Sequence, residues 1–174
     1  MYGVPDSRTC WRRIRNETRI SRSSSGRSGF TKSDSYTLIC PPRDTSPHVA
    51  REFVATVLRV LELDRALVDD AILCTSELVT NACVHAKGDG TVLWLAVEEG
   101  KVRVVVYDGD ENPPVIRELS AEAWERGGGR GLYLVDSLTE GRWGHGPDIP
   151  YGGQTHPEGK AVWFDLPVPS PAAP

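Results

Sequence analysis

The sequence predicts an α+β protein, a two-layer sandwich of a mostly antiparallel sheet with helices on one face. Two consecutive segments between residues 46 and 86 repeat apolar residues with helical spacing. The strand-like runs that follow come in pairs, and no helix separates the members of a pair. A doubly wound parallel sheet needs a helix between successive strands, so this order favours hairpins and an antiparallel sheet.

The first strand and the first helix are marked by prolines. Tyr36–Cys40 is a short run of β-forming residues, and a Pro-Pro pair ends it. Ser46 can cap the next helix, with Pro47 at its first position. We predict that this helix ends near Leu63, because apolar residues line one side of it up to that point.

A second helix and a hairpin come next. Asp64 can cap a helix that runs from Arg65 to about Ala86. Thr91–Glu98 and Lys101–Asp108 alternate in part between apolar and polar residues, and a tight turn joins them. This pattern predicts a β-hairpin.

The C-terminal half alternates between loops and regular elements. Residues 109–128 form a connection rich in glycine, proline and charge, and a loop of this length is usually functional or mobile. The predicted elements are a short helical turn at 121–126, a helix at 129–138, a strand at 142–148, a loop at 147–158 and a strand at 159–166.

We divide the chain into three parts. Residues 1–35 are a disordered basic tail, 36–166 the folded domain and 167–174 a disordered Pro-rich tail. The first 40 residues carry eight Lys or Arg against three acids, although the whole chain has a net charge of −4. A nucleic-acid or partner-binding arm is the alternative interpretation of the tail, but only its charge supports it. The acidic body gives no general reason to expect nucleic-acid binding.

Cysteine spacing and hydropathy indicate a cytoplasmic protein. The four cysteines form no C-x-x-C pair and have no histidine cluster near them, so we interpret them as reduced thiols. No apolar run approaches the roughly 20 residues that a membrane span needs. The N-terminus has no apolar segment of a secretory signal.

The strongest local signal lies in the second helix. Glu77, Asn81 and His85 recur at every fourth position, which places them on one helix face. Asn is a poor residue for a helix interior, so its presence indicates either a solvated position or a function. Its amide oxygen is a hard, neutral ligand suited to Mg²⁺, and the carboxylate one turn earlier can deprotonate a hydroxyl or a water. A plain solvated face is the alternative.

A run of glycines before the last predicted helix is the second signal. Consecutive glycines let backbone N–H groups approach phosphates, and a helix N-terminus adds partial positive charge. The run is not a P-loop, because no Gly-Lys-Ser/Thr follows it. A flexible loop is the alternative. The candidate phosphate-binding residues are Gly127, Gly128, Gly129, Arg130, Gly131 and Leu132.

The third signal is Asp108, which ends an apolar strand and precedes Gly109. A carboxylate at this position can accept a hydrogen bond from an exocyclic amine. An ordinary Asp-Gly turn is the alternative.

These signals, in this order, resemble the GHKL or histidine kinase-like ATPase superfamily, which includes histidine-kinase catalytic domains, gyrase-like ATPases and anti-sigma-factor serine kinases. Residues 77–86 look like its N-box, 108–109 like its first glycine box and 127–132 like its second. Residues 159–164 look like its closing strand. The short length, and the Arg-Trp-Gly segment at 142–144, look most like the small anti-sigma-kinase-like ATP-binding proteins of actinobacteria.

The resemblance implies a Bergerat-type ATP-binding fold, with ATP and Mg²⁺ as cofactors. Asn81 would ligate Mg²⁺, Glu77 would be the general base, and Asp108 would bind the adenine amine. Gly129 and Gly131 would contact phosphates through backbone amides. Residues 109–128 would form a lid over the nucleotide, and His85 would pack against that lid. Arg130 would point either at the γ-phosphate or at solvent.

Two departures from the family pattern lie near the adenine and phosphate positions. Asp110 stands where the first glycine box usually has a glycine, and with Glu111 it places two acids near the phosphate side. Lys160 and Ala161 stand where the closing strand often has a threonine that binds adenine through water. We expect that contact to be lost.

Two functions are consistent with the resemblance. The first is a serine/threonine protein kinase of the anti-sigma-factor type, which phosphorylates an antagonist partner with Glu77 and Mg-ATP. The alternative is a non-catalytic module that binds a sigma factor or similar regulator, with weak or structural nucleotide binding. A homodimer is implied by the resemblance alone. We do not expect a sensor histidine kinase, because residues 1–45 offer no helix pair with a phospho-accepting histidine.

Overall fold

The computed structural model describes residues 34–85, 90–98, 100–110, 112–114, 130–146 and 159–169. Several predictions fall on residues outside these ranges, among them the basic tail up to residue 33, the helical turn at 121–126 and the loop at 147–158. The described elements are β1 Asp34–Cys40, α1 Ser46–Val60, α2 Arg65–His85, β2 Thr91–Glu98, β3 Lys101–Asp108, α3 Gly131–Leu138, β4 Trp143–Gly146 and β5 Lys160–Pro167.

The strands form one antiparallel sheet in the order β1-β2-β3-β5-β4. The predicted α+β class with a mostly antiparallel sheet is therefore confirmed. The closing strand β5 lies between β3 and β4 and pairs with β3 over its whole length. This register places Lys160 directly opposite Asp108, two residues that are far apart in the sequence.

One face of the sheet packs against the helices and forms the main core. Side chains alternate between the faces of a strand, so every second residue of β2, β3 and β5 points at the helix layer. Phe164 of β5 is fully buried there, and burying such a side chain contributes about 1.5–3 kcal/mol. Helix α2 packs between α1 and α3, and small or β-branched residues line its buried side. These residues include Ala71, Cys74, Thr75, Val79 and Ala82.

The opposite face of the sheet is also apolar. Trp94, Val105 and Tyr107 are buried there in a second cluster with Ala96 and Ala161. The partial alternation in β2 and β3 thus reflects strands with apolar residues on both faces rather than a solvated outer face.

The start of α1 differs from the prediction. Helix α1 begins at Ser46, and the preceding Thr45 occupies the N-cap position without a side-chain capping bond. Ser46 is therefore the first helical residue rather than the cap, and its Oγ donates to the carbonyl oxygen of Pro41, at 2.6 Å. Pro47 lies in the first turn, as predicted. Asp64 does cap α2, since its Oδ1 accepts from the backbone N–H of Ala66, at 2.8 Å.

Candidate nucleotide-binding site

Helix α2 contributes the acidic side of the site. Glu77 and Asn81 are both half-buried and lie one turn apart, so they occupy the same helix face. The neighbouring Leu78 and Val79 are buried in the core and fix the rotation of the helix. The side chain of His85, the last residue of the helix, lies outside the described residues.

Glu77 lies directly against the start of α3. A Cβ atom placed on Gly131 would overlap Glu77 Oε2 and would lie 3.3 Å from both the Cβ and the Cδ of Glu77. Glycine is therefore the residue that lets the backbone of α3 approach this carboxylate. The contact brings together two segments that the sequence places 54 positions apart, as the predicted site requires.

The burial of Glu77 changes its acid–base behaviour. Partial removal from water disfavours the ionised form and raises the pKa of the Glu77 carboxyl above its usual value. A carboxylate with a raised pKa is a stronger proton acceptor than an exposed one, which is the property a general base needs near neutral pH.

Helix α3 offers backbone donors beside that carboxylate. Its N-cap residue, Arg130, makes no side-chain capping bond, and the first turn contains no acidic residue. The first N–H groups of a helix have no partner within it and carry partial positive charge, so they suit an anion. Leu132 is buried in the core, so its side chain anchors the helix and only its backbone amide is available to a ligand. Arg130 is half-buried and its Nε is buried.

The third predicted residue, Asp108, is held by an ion pair. It is 4% exposed and lies on the helix-facing side of β3, in line with Val104 and Val106. Its Oδ1 accepts from Lys160 Nζ at 2.9 Å and from the backbone N–H of Asp110 at 2.8 Å. A Cβ on Gly159 would overlap the carbonyl oxygen of Asp108, so β5 approaches this turn closely only because residue 159 is glycine.

Lys160 is the residue of this site whose role the sequence did not reveal. Its partner lies 52 positions away, and no local motif connects the two. The β3–β5 register is the signal that identifies the pair, because residues directly opposite on one sheet face have neighbouring side chains.

The described residues contain one group that suits the magnesium ion implied by the family resemblance. Within them, no three His, Cys, Asp or Glu side chains come together as metal ligands. Mg²⁺ bound with a nucleotide takes one or two protein ligands, phosphate oxygens and water, so a single oxygen from Asn81 suits it. The candidate glycines Gly127, Gly128 and Gly129 lie outside the described residues.

A cavity elsewhere on the surface carries no comparable chemistry. It has a volume of about 390 Å³ and lies between the end of α1 and the start of α2. Two of its lining residues, Arg65 and Asp69, are exposed and pair with each other at 3.8 Å.

No described helix is long and apolar enough to cross a bilayer.

Fold and site together define a nucleotide-binding α+β sandwich. One of its helices carries a carboxylate and an amide on the same face, and a second helix, which begins at a glycine, lies beside them. The family model of the histidine kinase-like ATPase domain matches residues 40–141. The chain belongs to this family, as the sequence motifs predicted, and ATP is the nucleotide that such a domain binds.

Solved structures support the same fold. The RsbU and RsbW domains of Rv1364c from Mycobacterium tuberculosis are similar at a TM-score of 0.57 and 17% identity, over 80% of this chain. The chain spans only 34% of the length of that structure. The SiaB–SiaC complex from Pseudomonas aeruginosa is similar at a TM-score of 0.55 and 13% identity, over 75% of this chain and 88% of that one. Comparison with curated proteins finds no match.

Proposed function

We propose that this protein binds Mg-ATP between α2 and the N-terminus of α3 and transfers the γ-phosphate to a serine or threonine of a partner protein in the cytoplasm. One observation supports this best. The carboxylate of Glu77 lies against Gly131, at the start of a helix whose first turn contains no acid. A proton acceptor and an anion-binding helix end are thus neighbours, which is the arrangement that phosphoryl transfer from a nucleotide needs.

Asn81 is the protein ligand that we assign to Mg²⁺. It lies one turn beyond Glu77 on the same face and is half-buried, so its amide oxygen can reach a metal beside the phosphates. When bound, the metal would supply charge neutralisation for the phosphate oxygens.

Glu77 is the general base in this proposal. It accepts the proton of the attacking hydroxyl, while that oxygen bonds to the γ-phosphorus and ADP leaves with the bridging oxygen. Backbone N–H groups at Gly131 and Leu132 bind phosphate oxygens, and Asp108 accepts from the adenine amine. We assign further phosphate contacts to the backbone of the glycine run before α3 and a lid role to residues 109–128.

The partner is a regulator of the antagonist type. One similar structure contains an RsbW domain, and the other is a complex of SiaB with SiaC. We therefore propose an anti-sigma-type regulator of transcription whose target is an antagonist protein or a sigma factor. Homodimer formation stays a prediction.

A non-catalytic binding module is the second candidate. The observation that favours it is Asp110, whose carboxylate follows β3 and lies 3.2 Å from Lys160 Nζ. An added negative charge near the nucleotide weakens the binding of a triphosphate. Nucleotide would then be structural or weakly held, and the regulator would act by binding its partner.

Calorimetric titration of Mg-ATP tests the binding step. We expect the wild type to bind and Asn81→Ala to lose roughly 10- to 100-fold in affinity, because a metal-bound oxygen is a charge-assisted contact. Thr80→Ala is the matched control, since Thr80 is the preceding, exposed residue of the same helix. A wild type that gives no heat at high protein concentration would contradict the ATP-binding proposal.

Incubation with labelled ATP and candidate antagonist proteins tests the transfer step. Glu77→Gln should bind Mg-ATP but transfer phosphate at least about 100-fold more slowly, the usual contribution of a general base. Label that appears at the wild-type rate in this variant would remove Glu77 from its role. Binding of ATP and partner without any label in the wild type would favour the second candidate.

A further inference from the structure

The buried ammonium group of Lys160 lies beside the carboxylate of Asp108, to which we assign the binding of the adenine ring. Lys160 is the first residue of β5 and is 9% exposed. Its Nζ donates to Asp108 Oδ1 at 2.9 Å, to the carbonyl oxygen of Asp110 at 3.0 Å and to Asp110 Oδ2 at 3.2 Å. An ammonium group has three hydrogens, so these three acceptors use all of its donors.

The same contacts fix how the carboxylate of Asp108 is presented. Oδ1 accepts twice, from Lys160 Nζ and from the backbone N–H of Asp110. Within the described residues, Oδ2 makes no hydrogen bond. Two bonds to one oxygen stop the carboxylate from rotating, and among the described residues they leave Oδ2 as the acceptor that a ligand can use.

Lys160 also partly neutralises the two carboxylates at the end of β3, those of Asp108 and Asp110, and we call this group of three side chains the corner. Asp108 and Asp110 are only two residues apart, and their mutual repulsion is reduced by one shared ammonium group. Hydrogen bonds from Asn112, together with Lys160, lower the pKa of the Asp110 carboxyl. The corner therefore carries a net charge of about −1 rather than −2 at neutral pH.

We propose that Lys160 is a positioning residue that makes this site selective for a purine with an amine at C6. It holds Asp108 by Oδ1, so that Oδ2 alone meets the base, and its own donors are all occupied. A C6 amine can donate to Oδ2, whereas a C6 carbonyl meets an acceptor and finds no donor. The inference rests on the proposed binding of ATP and adds the residue that enforces its base preference.

Arg103 provides a matched control on the other face of the sheet. Its Nε and Nη2 donate to Asp165 Oδ1 and Oδ2 at 2.6 Å each, and both side chains are mostly buried. Arg103→Met and Lys160→Met therefore each remove one positive charge from an ion pair between β3 and β5. Only the second variant alters the corner at Asp108.

The experiment measures the dissociation constants of Mg-ATP and Mg-ITP by calorimetry, with urea unfolding of each variant in parallel. We expect the wild type to prefer Mg-ATP and Lys160→Met to lose roughly tenfold or more of that preference, since one charge-assisted contact orients the acceptor. Arg103→Met should lose stability but keep the wild-type ratio of the two constants.

Lys160→Arg tests the same idea in a variant that retains the charge. Its guanidinium brings five N–H donors to three acceptors, so a donor remains for the C6 carbonyl and Mg-ITP binds relatively better. An unchanged ratio in both Lys160 variants, or an equal loss in Arg103→Met, would overturn the inference while leaving ATP binding intact. A wild type that binds neither nucleotide would overturn the proposed function together with it.

Discussion

Replacing Gly131 by alanine should separate activity from stability. The new Cβ would overlap Glu77 Oε2 and would lie 3.3 Å from two further atoms of that side chain. Glu77 must then swing away, and we expect its carboxylate to move to the solvent side of the first turn of α3 rather than into the core. A carboxylate displaced there would meet the phosphates of the nucleotide.

The magnitude follows from the contacts that are lost. Weakened bonds from backbone amides to a charged phosphate correspond to about 1.5–3 kcal/mol, or roughly 10- to 100-fold in the Mg-ATP dissociation constant. The free energy of unfolding should change little, because alanine is favoured over glycine in a helix by about 0.5–1 kcal/mol and offsets the crowding.

Gly100→Ala is the control for this prediction. Gly100 has φ of +80° in the β2–β3 turn, and a Cβ there would have no neighbour within 4 Å. Alanine at this position should cost about 1–2 kcal/mol of stability through backbone strain and leave nucleotide affinity unchanged. Calorimetry and urea unfolding of both variants test the pair. Wild-type affinity in Gly131→Ala would refute the assignment of α3 to the phosphates.

Two further predictions concern a half-buried and a fully buried polar group of α2. Burial raises the pKa of Glu77 in the folded protein above its unfolded value of 4.5. The contribution of Glu77 to stability is therefore lowest at pH values above the raised pKa, where the buried carboxyl is ionised, and highest below pH 4.5, where it is protonated in both states. Urea unfolding should therefore show Glu77→Gln to be more stable than the wild type by on the order of 1 kcal/mol at pH 8, with a difference that shrinks towards pH 4; a difference independent of pH would contradict this. Thr75 is fully buried, and its Oγ1 has no hydrogen-bond partner among the described residues. Thr75→Val keeps the shape and should stabilise the fold by about 1–3 kcal/mol, whereas Thr75→Ala, which leaves a cavity, should not; a loss of stability in the valine variant would indicate that the hydroxyl is bonded.

Most of the fold was predictable because its signals are local. Helix α2 and the β2–β3 hairpin have nearly the predicted bounds, since apolar periodicity over one segment is sufficient to recognise each of them. The cap at Ser46 was predicted wrongly by one residue, because residue preferences alone do not locate the first helical residue; Ser46 is that residue, and Thr45 occupies the N-cap position. The hydroxyl of Ser46 donates to the carbonyl oxygen of Pro41, five residues earlier, and so ties the start of α1 to the end of β1.

The candidate site was predictable to the extent that its residues follow short motifs. Glu77 and Asn81 share a face because four residues make about one helical turn, and this relation needs no knowledge of the fold. The glycine run was recognisable from its composition. The closeness of Glu77 to Gly131 was an expectation from family resemblance, and its physical basis, the absence of a Cβ, is visible only in the packed structure.

The amino-acid sequence by itself determined the elements, the class of fold and the identity of the chemical groups, because these depend on the spacing of side chains along one segment. Only the tertiary structure decided which groups meet. Lys160 and Asp108 become neighbours through the register of two strands 52 positions apart, and Glu77 becomes a better base through burial beneath another helix. Both effects depend on long-range packing, since hydrogen bonds, ion pairs and desolvation act through distance in space and not through separation along the chain.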